Sequence, residues 1–193
     1  MEPPTLRGAS VVLRPVVEAD RAARQAYGWH AAIERGYGHD RADGPMSDDE
    51  AQEWYAESVA MLEDPACLPW VVDHDGGAVG VAFLHSLRDV DRKARYAVGL
   101  FAPVHLGRGW GTEITRLVLD HAFDGLGLHR VDLRVLAFNE RAIACYEGCG
   151  FAVEGRERES CRIGDHWYDD VIMGALATDP RRRRVTTGPS SVP

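Results

Sequence analysis

The stretch HLGRGWGTE, His105 to Glu113, places glycines at 107, 109 and 111 with an arginine and a tryptophan between them. A strand-like run ends just before it, and an amphipathic helical pattern begins just after. Glycines at such a junction let backbone N–H groups converge with no Cβ in the way. The first turn of the following helix adds unpaired N–H donors and about half a positive charge from the helix dipole. The combination binds anions, phosphate most often, although the same small residues also suit a plain, closely packed helix cap. A phenol stands downstream, Tyr146 within NERAIACYEGCGF. The remaining groups that could move a proton are His85, Asp73, Asp89 and Glu113. A lone strand histidine is more often structural, and Glu113 suits the positive end of a helix.

Three phosphate chemistries compete for the glycine stretch. A P-loop requires GxxxxGK[ST], and no lysine follows Gly109 or Gly111. A dinucleotide fingerprint requires GxGxxG. Gly107, Gly109 and Gly111 give GxGxG, with Thr112 where the last glycine belongs and Asp132 about where a ribose-binding acid would fall. Only one strand–helix–strand crossover surrounds it, too little for a doubly wound sheet. The third chemistry is a coenzyme A pyrophosphate loop.

The elements that must position these residues follow from pattern. ASVVLRPV (Ala9 to Val16) reads as a first strand, Glu18 to Arg35 as a helix, and SDDEAQEWYAESVAMLED as a second helix opened by a Ser47–Glu50 capping box. LPWVVDH, GAVGVAFLHSL and RYAVGLF are consecutive strands. Ile114, Leu117, Val118, His121 and Ala122 fall at helical spacing, and LHRVDLRVLAF alternates as a strand. A short helix capped by Asn139 follows, then the strands FAVEGRERESCRI and HWYDDVIMGAL joined at Gly164–Asp165. The expected architecture is one mixed α/β domain over residues 1–177. The segment 178–193, with Arg181 to Arg184 ahead of Gly, Pro and Ser, reads as a solvated, flexible tail.

Length and composition bound the function. The 193 residues suit one domain, and 45% hydrophobic with 27% charged residues is ordinary for a globular protein. A net charge of −8 disfavours general nucleic-acid binding and mildly favours cationic partners. No apolar stretch approaches the roughly 20 residues of a membrane span. Cys67, Cys145, Cys149 and Cys161 form no CxxC and read as reduced thiols of a cytoplasmic protein. The eight histidines show no metal-binding spacing, so no metal is expected.

LGRGWGTE resembles the acyl-CoA signature [QR]xxGx[GA] of the GNAT acetyltransferase superfamily. Asn139, Ala142, Ile143, Tyr146, Gly150 and Phe151 match its next motif, NxxAIxxYxxxGF, in order and at the proper spacing. VVLRPV and GDHWYDDVIM resemble the RimJ/RimL-type branch, so the likeness runs over about residues 6 to 176. The resemblance implies a strongly twisted, mixed sheet of about seven strands flanked by helices. In it the fourth and fifth strands, RYAVGLF and RVDLRVL, splay apart. It implies acetyl-CoA as co-substrate, its pyrophosphate on the amides of Leu106, Gly107, Arg108, Gly109, Trp110, Gly111 and Thr112, with Asn139 near the coenzyme. It places an oxyanion donor among the amides of Val98, Gly99 and Leu100, and assigns Tyr146 to protonate the departing thiolate.

Two departures stand out. Leu106 occupies the place usually held by Gln or Arg, and Ala97 stands where relatives often carry a glutamate base. Deprotonation matters, because an alkylammonium of pKa about 10.4 is under about 0.1% neutral at pH 7. No base is assigned; a water relay is equally compatible. The partner expected is a primary amine, cationic if the acidic and aromatic residues Trp29, Tyr37, Asp40, Asp43, Asp48, Asp49, Trp54, Trp167 and Tyr168 surround it. A homodimer is compatible with this reading. The competing readings are a non-catalytic acyl-CoA sensor and a transferase of a larger acyl group such as succinyl.

Overall fold

The computed structural model describes residues 2–180, so the arginine-rich part of the expected tail lies outside the described residues. One eight-stranded sheet forms the frame. Its strands are β1 (Leu6–Arg7), β2 (Val12–Arg14), β3 (Leu68–His74), β4 (Gly77–Arg88), β5 (Lys93–Leu100), β6 (Arg130–Leu136), β7 (Ala152–Ile163) and β8 (His166–Leu176). Their spatial order is β1-β2-β3-β4-β5-β6-β8-β7, antiparallel except at the β5–β6 pair. The eighth strand, beyond the seven expected, is the two-residue β1. It folds back on β2 through a turn whose Ala9 and Ser10 amides donate to the Glu113 carboxylate, at 2.9 Å from Ser10.

Helices α1 (Ala19–Tyr27), α2 (Ala31–Glu34), α3 (Asp48–Glu63), α4 (Trp110–Asp120) and α5 (Glu140–Glu147) flank the sheet. The single helix expected over Glu18 to Arg35 is broken at Gly28. There φ is +64°, and Trp29 leaves the helix to exchange backbone hydrogen bonds of 2.7 and 3.1 Å with Gly44. A side chain at Gly28 would meet the Gly44 carbonyl at 2.5 Å. Helix α3 begins at the expected box: Ser47 Oγ accepts from the Glu50 amide at 3.2 Å, and Glu50 Oε2 accepts from the Ser47 amide at 2.8 Å.

The main core lies between the sheet and α4, with Trp70, Leu84, Ile114, Val118, Leu133 and Met173 at its centre. A smaller cluster of Val71, Ala78 and Phe101 is covered by Ala23, Tyr27 and Trp54 of α1 and α3. Arg14 ties these layers together. Its guanidinium donates to both Asp20 oxygens at 2.8 Å and to Asp73 Oδ2 at 2.9 Å, and Asp20 also accepts from the Val17 amide at 2.8 Å. Asp20 is buried, so removing it strands a cation and an amide. Asp20→Ala is expected to cost about 3 kcal/mol, near the low end for such pairs because Arg14 is partly open to water. The melting temperature should fall by roughly 6–12 °C; a shift below about 2 °C in thermal unfolding would refute this account.

Candidate active site

The parallel pair β5–β6 holds register only at Lys93↔Arg130, Ala94↔Val131 and Arg95↔Asp132. Arg95 Nε donates to Asp132 Oδ1 at 2.8 Å and pins that end. Beyond it the strands part, as expected for RYAVGLF and RVDLRVL. The gap widens into a cavity of about 570 Å³, lined on one side by residues 96–100 and on the other by residues 134–136. Donor direction alternates along an antiparallel strand. The Phe101 amide donates to Val79 on β4 at 2.9 Å, so Leu100 and Val98 direct their amides away from β4, into the gap.

The glycine loop closes one end. Gly107 and Gly109 have φ of +75° and +81°, and a Cβ at either would stand in open space. These glycines serve the backbone conformation, where a side chain would be strained. The Leu106 amide donates to the Pro103 carbonyl at 3.0 Å and the Glu113 amide to Gly109 at 3.1 Å. Between them, the amides of 107–112 have no backbone acceptor among the described residues. The first turn of α4 is braced from below: Thr115 Oγ1 donates to the Gly111 carbonyl at 2.7 Å and lies 3.1 Å from Tyr96 Oη on β5.

Helix α5 forms the third wall. Asn139 Oδ1 accepts from the Ala142 amide at 3.2 Å, which is its capping role, and the residue also borders the cavity. Tyr146 reaches the cavity with its ring edge-on to Tyr96 and Phe151, centroids 6.3 and 5.9 Å apart. Burial, reinforced by Cys145 and Tyr37, pushes its phenol well above the ordinary value. Tyr146 therefore keeps its proton across the physiological range. Cys145 sits beside it with Sγ 3.3 Å from Thr112 Oγ1. Hydrogen bonds from Cys149 and Thr112, with Arg116 nearby, hold the Cys145 thiol below its usual range.

All the residues singled out from sequence for the coenzyme line this cavity except Arg108. Arg108 Nε donates to the Val104 carbonyl at 2.9 Å, and its guanidinium lies over the Trp110 ring. Trp110 is itself packed between His74 and His105. Leu106 packs partly against the core while facing the cavity, a role an Arg or Gln would not fill. The groups weighed as bases point elsewhere. His85 Nδ1 lies 3.1 Å from Ser86 Oγ, Asp73 pairs with Arg14, and Glu113 holds the β1–β2 turn.

The acidic and aromatic residues expected around the acceptor mostly have structural work. Asp43 accepts from the Ala31 amide at 2.9 Å, Asp48 from Gln25 Nε2 at 2.7 Å, and Trp54 packs edge-on to Phe101. Trp29 is stacked between the guanidiniums of Arg24 and Arg41. Of that group Tyr37 alone borders the cavity. It lies in a 3-10 turn (Arg35–Tyr37) after α2, where its hydroxyl accepts from the Leu100 amide and crowds Gly99 so closely that no side chain fits there. Residues on the wall that sequence reading missed are Arg35, Arg134, Arg141, Cys161 and Asp170. The signal present in the sequence is strand alternation in HWYDDVIMGAL, which places Asp170 on one face with Tyr168.

The dimensions and donors fit coenzyme A. Free amides on open glycines, a helix N-terminus and an unpaired strand edge match a pyrophosphate followed by a pantetheine amide chain. His105 Nε2, buried at the cavity rim, has no hydrogen-bond partner among the described residues. Burial, with Arg108 and His74 nearby, lowers its pKa, so the ring is neutral and can offer one polar contact.

Comparison with known proteins agrees with the geometry. The family profile described as "Acetyltransferase (GNAT) domain" matches residues 10–152, and the chain belongs to this family of acetyl-CoA-dependent N-acetyltransferases. It is similar to the spermidine N(1)-acetyltransferase of Vibrio cholerae, 32% identical over 129 residues that span 66% of this chain and 72% of that protein. The Escherichia coli K12 spermidine N(1)-acetyltransferase is 35% identical over 112 residues, 58% of this chain and 60% of that one. A crystal structure of the V. cholerae enzyme in complex with CoA and spermine superposes with a TM-score of 0.72 at 26% identity, covering 88% of this chain and 96% of that one. Among the described residues no helix is long and apolar enough to cross a membrane. No cluster of three or more His, Cys, Asp or Glu able to hold a metal occurs among them.

Proposed function

We propose that the protein transfers the acetyl group of acetyl-CoA directly to a primary amine, as a RimJ/RimL-type member acting in the cytoplasm. The observation that carries this reading is the meeting of three features on one cavity: the glycine-loop amides, the open edge of β5 and the Tyr146 phenol. The amides of 107–112 hold the pyrophosphate, that of Leu106 being turned back to the Pro103 carbonyl. Val98, whose N–H faces the open gap, and Leu100, once the coenzyme displaces the Tyr37 hydroxyl from its N–H, bind the pantetheine chain and the thioester carbonyl. The charge that grows on that oxygen during attack is met by a backbone N–H. Tyr146 gives its proton to the departing sulfur.

The acceptor is a small or terminal amine: a polyamine, an aminoglycoside or a protein N-terminus. The likeness to spermidine acetyltransferases supports a polyamine. The wall itself is less acidic than that substrate would favour, with Arg35, Arg134 and Arg141 beside a single carboxylate. Nucleic acid and membrane are not partners in this reading, and a homodimer is compatible with it. The test is calorimetric binding of acetyl-CoA, followed by thiol release with spermidine, kanamycin and a peptide bearing a free α-amine. Binding in the micromolar range and turnover of at least one amine are expected. No binding at millimolar coenzyme overturns the reading, and binding without turnover of any amine favours a sensor.

A further inference from the structure

Acetyl transfer to an amine also requires a group to receive the proton of the incoming ammonium. Ala97 leaves β5 without a carboxylate, and His85, Asp73, Asp89 and Glu113 do not line the cavity. Among the lining residues one carboxylate remains, Asp170 of β8. It stands opposite Leu136, the last residue of β6 and thus the far lip of the splay from Ala97 and Val98. Its neighbour Asp169 is spent on structure, accepting from Arg156 Nη1 at 2.9 Å and from the Glu159 amide at 2.8 Å. Among the described residues no side-chain hydrogen bond or ion pair holds the Asp170 carboxylate, whose charge bears on the Cys161 thiol, and the residue is partly withdrawn from water.

We propose that Asp170 binds the acceptor's ammonium group and takes its proton. The groups that face it from the surrounding elements leave this role open. Arg134 of β6 lies 2.8 Å from Glu157 Oε2, and Glu157 of β7 is the residue opposite Asp170 in register. Arg35, from the turn after α2, donates to Tyr168 Oη at 2.7 Å and stacks on Phe138 and Tyr168. The other titratable groups on that wall are Tyr37 and Cys161, with Arg141 and Tyr146 across on α5. Arg35 and Arg134 are thus already engaged, and the carboxylate is available to an entering cation.

In bulk water a carboxylate would not deprotonate an alkylammonium, since their pKa values lie about six units apart. Coenzyme seated in the cavity removes water from both groups. Loss of water disfavours the ion pair, so that the neutral acid and neutral amine become competitive with it. The proton then passes from nitrogen to Asp170, and the lone pair it leaves forms the new C–N bond. The C–S bond breaks, and the sulfur takes the Tyr146 proton. The amide nitrogen returns its second proton to the Tyr146 oxygen, and Asp170 releases its own to solvent. The balance is one ammonium and one thioester to one amide, one thiol and one proton.

This inference rests on the acetyltransferase reading, and Asp170→Asn tests it separately. With the best acceptor among spermidine, kanamycin and the free peptide, kcat/KM at pH 7 should fall about 100-fold or more. The dissociation constant for acetyl-CoA should stay within about twofold, and Asp170→Glu should recover part of the rate. Between pH 7 and 9 the ratio of wild-type to variant rates should narrow, because solvent then supplies the neutral amine. The remaining wall groups are common to both proteins and cancel in that ratio. A variant within a few-fold of wild type overturns the proposal, as does a parallel loss of coenzyme affinity or a deficit equally large at pH 9. A wild-type protein inactive with every amine removes the acetyltransferase reading and Asp170's role with it.

Discussion

Replacing Tyr146 by Phe is expected to lower the maximal acetylation rate by about 100-fold or more while leaving acetyl-CoA affinity within about twofold. The ring stays in place, because its edge-on contacts with Tyr96 and Phe151 involve carbon alone. What disappears is the proton given to the leaving sulfur. The same burial that raises the Tyr146 pKa also destabilises a thiolate anion in that cavity, so the donor and the group needing the proton shift together. The sign of the pH dependence follows. The neutral phenol is the active form, and a raised pKa keeps it so through pH 9; no loss of rate from Tyr146 should appear as pH climbs from 7 to 9. Steady-state rates of thiol release at saturating coenzyme measure the effect, and an unchanged maximal rate would reject the role.

Gly109→Val should raise the dissociation constant for acetyl-CoA by at least about tenfold. Gly109 sits at the N-terminal boundary of α4 with φ of +81°. A β-branched residue held there costs on the order of 1–3 kcal/mol, and relief of that strain turns the neighbouring amides off the phosphate. Gly76 supplies the control. It has φ of +82° and open space around its Cβ position, but lies in the turn between β3 and β4. Gly76→Val should cost comparable stability and leave coenzyme affinity alone. Calorimetric titration of both variants separates loop function from backbone strain. Equal affinities in the two would show that the loop amides do not hold the coenzyme.

Half of the site was legible in the chain and half was not, for a definable reason. The glycine loop, Asn139 and Tyr146 carry their chemistry in local spacing, which a sequence displays directly. Asp170 and Tyr37 acquire meaning only when distant segments meet. Asp170 reads as one of two acids in a strand until pairing with Leu136 brings it to the lip of the cavity. Tyr37 reads only as one of several aromatics around the acceptor until its hydroxyl meets β5, some sixty residues later in the chain. The fold misreadings share this cause. Gly28 ends a helix because Gly44 pairs with Trp29. Two residues, Leu6 and Arg7, become a strand because the Glu113 carboxylate holds the turn that follows them. Glu113 looks like a helix-dipole partner from its position alone, and its true contacts lie about a hundred residues away.

The parting of β5 from β6 also divides one strand into two solvent-exchange regimes. On the β4 side, the Phe101 amide is locked in a ladder and opens only when that part of the sheet does. On the gap side, Leu100 is guarded by a single tyrosine oxygen, and Val98 faces the open cavity. Neighbouring amides 3 residues apart or fewer thus answer to different events, one to sheet unfolding and the other to the swing of a side chain or the arrival of a ligand. The most sensitive reporter of an occupied cavity is therefore built into the backbone of β5, as the exchange rate of amides that no strand has claimed.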